Sequence, residues 1–166
     1  MNPEIAKEAV NALTAKGYPT VGGECQRFVR EVVERSGDTQ AAAAMDRIRT
    51  GTAAGTLENF ADTAYMVWHK PGAGNIPAAI LVQAGDCLYK GEASTGGDPS
   101  GHTGIAFHNV IEADGESVLC VAENSTFHVH NPGDGAGYGS PANDARGWRT
   151  FTEWCKPHGM EGIVRL

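Results

Sequence analysis

The sequence predicts an α+β fold, with helices of the N-terminal half packed on an antiparallel sheet from the C-terminal half. Apolar residues recur at helical spacing in four successive segments before residue 70. After residue 79 the chain instead contains short runs of β-branched and aromatic residues, separated by glycine-rich stretches. Because helices come first and strands follow, we expect a helical layer against one face of a sheet.

Local signals place the boundaries of these elements. Pro3 suits a first helical position, Asp38 suits an N-cap, and an Asp-Gly pair at 114–115 suits a tight turn between two strands. The stretches 91–100 and 131–147 are too rich in Gly, Pro, Asn and Asp for regular structure. The expected helices span about residues 3–17, 25–35, 39–50 and 57–68, with a short one within 150–159. The expected strands lie within residues 79–91, 102–111, 117–124 and 162–166.

Composition limits the partners and the compartment. The 166 residues suit one domain, 1–166, whose core buries roughly two-thirds of the unfolded surface, and we expect a monomer. A formal net charge of −7 with scattered Lys and Arg argues against nucleic acid as a partner. No run approaches the roughly 18 apolar residues of a membrane span. The N-terminus lacks a signal-peptide pattern, so we expect synthesis in the cytoplasm.

Cys25 is the cysteine whose position suggests chemistry. The four cysteines are dispersed without a C-x-x-C pair, which argues against a zinc knuckle or a disulfide scaffold. Cys25 closely follows two glycines and falls in the first turn of a predicted helix, where the helix dipole favours a thiolate. A lone helical cysteine is more often a buried small hydrophobe, so both interpretations stay open. Cys87, Cys120 and Cys155 lie among apolar neighbours and are expected in the core.

His102 is the best candidate for the base that a nucleophilic cysteine needs, and such a base needs a third group to orient it. Of the six histidines, His102 alone opens a predicted strand directly after a glycine. Alternation places Gly104 and Ala106 on its face, and we expect these small residues to let the helix with the thiol approach closely. The Asp-Gly turn pairs the start of this strand with the end of the next, which brings Glu123 and Asn124 near His102.

Only one of these two polar side chains can face His102, because neighbouring side chains on a strand point to opposite faces. If Leu119 and Val121 face the interior beneath the cysteine helix, Glu123 shares their side and reaches the cleft. Asn124 then points away. We therefore expect Glu123 to orient His102 and keep Asn124 as the alternative.

Five segments, taken in order, resemble the motifs of NlpC-like and CHAP-like cysteine peptidases. Such enzymes have a papain-like fold and cleave stem peptides or cross-bridges of peptidoglycan. The resemblance covers residues 18–166 and leaves residues 1–17 as an N-terminal helix outside it. It implies Cys25 as nucleophile, His102 as base and Glu123, or its neighbour, as the third residue. The segments are "GGECQRFVREVV", "AGDCLYKG", "GHTGIAFHN", "CVAENST" and "GIVRL".

The resemblance implies a cysteine-dependent amidase or endopeptidase that hydrolyses peptide bonds of peptidoglycan through a thioester, without a cofactor. One alternative is an acyltransferase that uses the same Cys-His pair, and another is a catalytically silent papain-like binding or structural module of a phage. A chain without a signal peptide fits a phage lysin (endolysin), a toxin delivered by a secretion machine, or a tail-associated enzyme. We expect it to act on the cell wall after release or delivery by another system.

Two further features are candidate parts of a site. Tyr18 lies upstream of the cysteine, as a tyrosine often does in NlpC-like enzymes, which suggests a substrate or oxyanion contact. A loop aromatic that covers the core is an equally good interpretation. His128 and His130 form an H-x-H pair that could bind a metal, but further ligands at suitable spacing are missing, so we expect no metal.

Overall fold

A computed structural model describes residues 1–110, 117–125, 129–130, 138–139 and 144–166 and shows an α+β architecture. Within these residues the side chains of Asn2, Asp38 and Thr52 cap the first, third and fourth helices. None of the described helices has the length and apolar character needed to cross a membrane. The α-helices in this part of the chain are α1 (Pro3–Ala12), α2 (Cys25–Arg35), α3 (Thr39–Ile48), α4 (Ala53–Phe60) and α5 (Phe151–Trp154).

The described strands form one sheet in which every neighbouring pair is antiparallel. Their order across the sheet is β1-β8-β2-β3-β4-β7-β5-β6. The strands are β1 (Met66–His69), β2 (Cys87–Lys90), β3 (His102–Val110), β4 (Ser117–Asn124), β5 (Val129–His130), β6 (Tyr138–Gly139), β7 (Arg146–Thr150) and β8 (Gly162–Val164).

The two faces of the sheet cover different cores. Ile105 and Ala122 belong to the core that the sheet forms with α1 to α4, including Phe28 of α2. Val121 belongs to a second core with Trp154 of α5. Leu119 also packs against this second core. The expectation that Leu119 and Val121 face the cysteine helix is therefore wrong, because that side of β4 packs against α5.

Gly104 is small for a reason that differs from the predicted one. A Cβ at this position would lie 2.5 Å from Cγ1 of Val121 and 2.8 Å from the carbonyl oxygen of Ala122. The close approach is thus between β3 and β4. The helix α2 packs on the opposite face, where β3 presents the larger Ile105 and Phe107, so small residues do not make room for it.

Several predicted boundaries are wrong. The fourth helix ends at Phe60, and the residues expected to extend it to Trp68 instead include β1, which pairs with β8. Residues 79–81 form a 3-10 turn, so β2 begins only at Cys87. The predicted loop 131–147 contains β6 and the start of β7. The predicted Asp-Gly turn at 114–115 lies outside the described residues.

Candidate active site

Cys25 is the first residue of α2 and its residue surface is 8% exposed. The carboxylate of Glu24, at the N-cap position, accepts a hydrogen bond from Arg27 Nη1 at 3.1 Å and does not cap the helix. Cys25 therefore lies at the positive end of the α2 dipole, where the first backbone N–H groups of a helix have no intrahelical partner.

Asn124 holds the loop that leads into α2. It is fully buried at the end of β4, and its Oδ1 accepts a hydrogen bond from the backbone N–H of Glu24 at 3.2 Å. Its Nδ2 donates to the carbonyl oxygens of Pro19 and Val21, at 2.9 Å each. These bonds run to the segment before Cys25 and not to His102, so Asn124 positions the nucleophile rather than the base.

His102 is the first residue of β3 and lies beside the thiol. The preceding Gly101 has a φ of +69°, and a Cβ there would lie 2.4 Å from the carbonyl oxygen of Lys90, so this approach to the strand requires glycine. The thiol of Cys25 is close enough to the imidazole to raise its pKa, and Nε2 of the ring contacts the carboxylate of Glu123. Because Nε2 faces the carboxylate, Nδ1 is the ring nitrogen that remains for the thiol.

Glu123 lies fully buried on the α5 face of the sheet and joins three side chains. Besides His102, it accepts a hydrogen bond at 2.8 Å from Nη2 of Arg149, which donates a second through Nε. The indole Nε1 of Trp154 donates to the same carboxylate at 3.2 Å. Four donors around one carboxylate compensate for its removal from water.

The two buried groups hold opposite charges. Burial alone would lower the pKa of His102, but hydrogen bonds to Cys25 and Glu123, and their charges, outweigh it and raise the pKa to about 9. Burial alone would raise the pKa of Glu123, but the charge of Arg149 and the contact with His102 lower it to about 2. At neutral pH the pair is therefore an imidazolium and a carboxylate.

The contact between Glu123 and His102 is as predicted, although it forms on the α5 face. The sequence analysis did not find Arg149 or Trp154 as partners of the carboxylate. Arg149 lies opposite Val121 in the β4–β7 pairing, and β7 begins within a stretch assigned to a loop. A signal was present in the alternation of "RGWRT", which fits a strand.

Three adjoining cavities surround the site. The central cavity, of about 160 Å³, is lined by both Cys25 and His102, together with Asn124. A second cavity extends from Cys25 along the start of α2 and reaches Thr52. A third lies on the far side of His102. The thiol and the imidazole therefore lie at the middle of a groove that these adjoining cavities form.

Tyr18 does not line this groove and is a core residue. Its ring lies 6.2 Å from that of Phe28 between centroids, and the guanidinium carbon of Arg35 lies 4.3 Å from its centroid. The hydroxyl donates to Glu8 of α1, and burial followed by this contact raises the pKa of the phenol. The predicted substrate or oxyanion contact is wrong, because the aromatic ring covers the core instead.

The other three thiols lie in the core, as predicted. Cys87, Cys120 and Cys155 are each at most 1% exposed, and none of the four cysteines forms a disulfide within the described residues. Burial raises the pKa of all three, to about 12 for Cys120 and about 11 for Cys155 and further for Cys87. These thiols are therefore protonated and inert at neutral pH.

The H-x-H pair cannot be placed against this site. His128 lies outside the described residues, and His130 is described only in its backbone, as part of β5. Among the residues whose side chains are described, no cluster of three or more His, Cys, Asp or Glu could hold a metal ion. The expectation of a metal-free site stays a prediction.

Comparison with protein-family models, with curated proteins and with solved structures found no match to this chain. The resemblance to NlpC-like and CHAP-like peptidases thus stays a prediction drawn from the motifs. What the site can do chemically is argued from the geometry of Cys25, His102 and Glu123.

Proposed function

We propose that this protein is a cysteine-dependent amidase or endopeptidase that uses Cys25, His102 and Glu123. The observation that carries the proposal is that the thiol and the imidazole line one cavity, and that the imidazole contacts a buried carboxylate. A nucleophile, a base and a group that fixes the base are the three parts that acyl transfer requires.

The reaction follows from the placement of these groups. With the thiol proton already on His102, the sulfur of Cys25 attacks the amide carbonyl carbon, which gives a tetrahedral oxyanion. The backbone N–H of Cys25 at the helix start is one donor to this oxyanion, and such a donor is typically worth about 3 kcal/mol. Collapse breaks the C–N bond, the imidazolium protonates the leaving amine, and an acyl thioester remains. Water, deprotonated by His102, then releases the acid and restores the thiol.

The substrate class comes from the sequence motifs, and we propose peptide bonds of peptidoglycan within a papain-like fold. A helix that begins with the nucleophile and packs on an antiparallel sheet whose strand begins with the base supports that fold. The groove on both sides of Cys25 suits an extended peptide.

Mass analysis of purified peptidoglycan fragments after incubation tests both the activity and the bond. We expect the wild type to release products whose masses increase by one water per cleaved amide. Cys25→Ser should lose more than about a thousandfold in turnover, because a hydroxyl next to this base ionises far less than a thiol. Cys155→Ser is the matched control and should retain activity. Turnover retained in Cys25→Ser would overturn the mechanism, and products joined to an added amine would indicate acyl transfer.

Thiol labelling tests the nucleophile without a substrate. A mild alkylating reagent should label Cys25 at least about tenfold faster than the three core thiols in the folded protein, because burial keeps those protonated. His102→Ala should slow labelling of Cys25, because it removes the imidazolium beside the sulfur. Equal, slow labelling of all four would contradict any catalytic role and favour a silent module.

A further inference from the structure

The third cavity, on the far side of His102, is lined by basic side chains. Its volume is about 250 Å³, and its walls include Lys90, Arg149, Lys156 and His158. None of the described residues that line it is an Asp or a Glu. We refer to it as the cationic pocket.

Lys90 is the lining residue whose charge is least compensated by its surroundings. It lies at the end of β2 opposite His102 and is 5% exposed, and its Nζ lies 4.9 Å from the ring centroid of Trp154. Within the described residues its ammonium group has no hydrogen bond and no ion pair. Burial, together with the charge of Arg149, lowers the pKa of Lys90 to about 8. An ammonium group in such surroundings gains from a bound anion.

The carboxylates near the pocket are already engaged. Glu123 binds His102 and Arg149, as described above. Glu161 contacts Ser94, one of the lining residues. Its Oε1 accepts hydrogen bonds from the backbone N–H of Ser94 at 3.1 Å and from the Ser94 hydroxyl at 2.8 Å. Lys90 and the exposed Lys156 at the rim therefore face the pocket, and no carboxylate among the described lining residues pairs with them.

We propose that the cationic pocket binds a carboxylate group of the substrate, next to the bond that Cys25 attacks. This inference rests on the proposed function and adds a requirement to it. His102 and Thr95 line both the central cavity and the cationic pocket, so a peptide seated over the thiol continues into the pocket. Lys90 supplies the buried ammonium and Lys156 a second one at the rim. The enzyme would then prefer peptides with a free carboxylate at this position over their amidated forms.

Kinetics on a matched pair of peptides, one with the carboxylate and one with a carboxamide, tests this preference. Lys90→Met keeps the length and apolar stem of the side chain, and it should raise KM for the carboxylate peptide about tenfold with little change in kcat. Lys90→Met should leave KM and kcat for the carboxamide peptide unchanged. Lys156→Met, at the exposed rim, should act in the same direction and does not depend on the core. Lys70→Met, on an exposed segment, is the control for net charge.

Binding without turnover separates the pocket from the proposed function. The Cys25→Ala protein is titrated with glutarate, glutaramide or inorganic phosphate while the indole ¹⁵N signal of Trp154 is followed. We expect a saturable shift with glutarate, none with glutaramide, and loss of the shift in Lys90→Met but not in Lys70→Met. The inference would be overturned if neither glutarate nor glutaramide shifted the signal, if both shifted it equally, or if phosphate bound more tightly than glutarate. If the Cys25→Ala protein bound glutarate as expected but the wild type hydrolysed no peptide, only the proposed function would be contradicted.

Discussion

Glu123 carries one negative charge between two cations, His102 and Arg149, and that charge is what makes the buried cluster stable. Without it, the imidazolium and the guanidinium would repel each other in a site of low polarity. The carboxylate thus fixes the orientation of the ring and also keeps it protonated beside the sulfur. A neutral amide of the same shape can do only the first.

We predict that Glu123→Gln lowers turnover by about ten- to a hundredfold and narrows the active pH range. Cys25 and Glu123 together raise the pKa of His102 to about 9, and the variant removes the charge of Glu123, so the alkaline limit of activity moves to lower pH. Profiles of kcat/KM against pH measure both effects. Asn124→Ala is the neighbouring comparison and should weaken activity less, without moving the alkaline limit. A larger loss in Asn124→Ala would give the orienting role to Asn124.

The sequence could predict Cys25, His102 and Glu123 because each has a local signature: a helix start after glycines, a strand start after a glycine, and a strand end across a turn. It could not predict Arg149 or Lys90 as their neighbours. Those contacts depend on which strands lie side by side, and β2 and β7 are not linked to β3 and β4 by any short turn signal. Long-range register is decided by packing, which a local pattern does not encode.

At the scale of elements, the pairing of β3 with β4 sets the distance between His102 and Glu123. The register places Gly104 directly opposite Glu123. Because a Cβ at Gly104 would lie so close to Val121 and Ala122, the two strands could not keep this separation with a larger residue. The glycine therefore maintains the geometry of the site two residues from the base.

We predict that Gly104→Ala lowers the free energy of unfolding by about 1–3 kcal/mol through overpacking. It should also reduce turnover, because any shift of β3 moves His102 relative to the carboxylate. Gly51→Ala is the matched control for stability, since a Cβ at Gly51 has no atom within 4 Å among the described residues. Denaturant titration compares the two variants, and turnover of Gly104→Ala is compared with that of the wild type. Equal stability of the two variants would show that the strands separate without cost.

The predicted extension of the fourth helix to Trp68 is wrong for a physical reason. Tyr65 and Trp68 are three residues apart, which fits a helix, yet the same segment pairs with β8 as an edge strand with alternating burial. Apolar spacing in a short segment is compatible with both structures. Pairing with a strand almost a hundred residues later decides the outcome, and local periodicity carries no information about that partner.

At the scale of the whole molecule, the site joins the two cores of the sheet. The nucleophile arrives on α2 from one face, while Glu123, Arg149 and Trp154 belong to the other. His102 can contact both because it is the terminal residue of β3. Assembly of the site therefore requires both faces to be packed, and its charges contribute to the stability of the entire fold.

This linkage gives the stability a defined dependence on pH. The pKa of His102 is raised from 6.5 to about 9, so its contribution is complete below pH 6.5 and is lost as the pH rises toward 9. The pKa of Glu123 is lowered from 4.5 to about 2, so its contribution is complete above pH 4.5 and is lost as the pH falls toward 2. The contribution of the pair is therefore largest between pH 4.5 and 6.5.

We predict that the free energy of unfolding, measured by denaturant titration, falls by up to about 2 kcal/mol between pH 6.5 and 8. The comparison ends at pH 8 because Lys90, whose pKa is lowered to about 8, becomes neutral above it and relieves the cost of burying its charge. His102→Gln removes the titrating ring, so its stability should be lower at pH 6 and nearly constant over the same interval. A wild type whose stability is constant or rises from pH 6.5 to 8 would contradict the imidazolium–carboxylate pair, and with it the charge that holds the base beside Cys25.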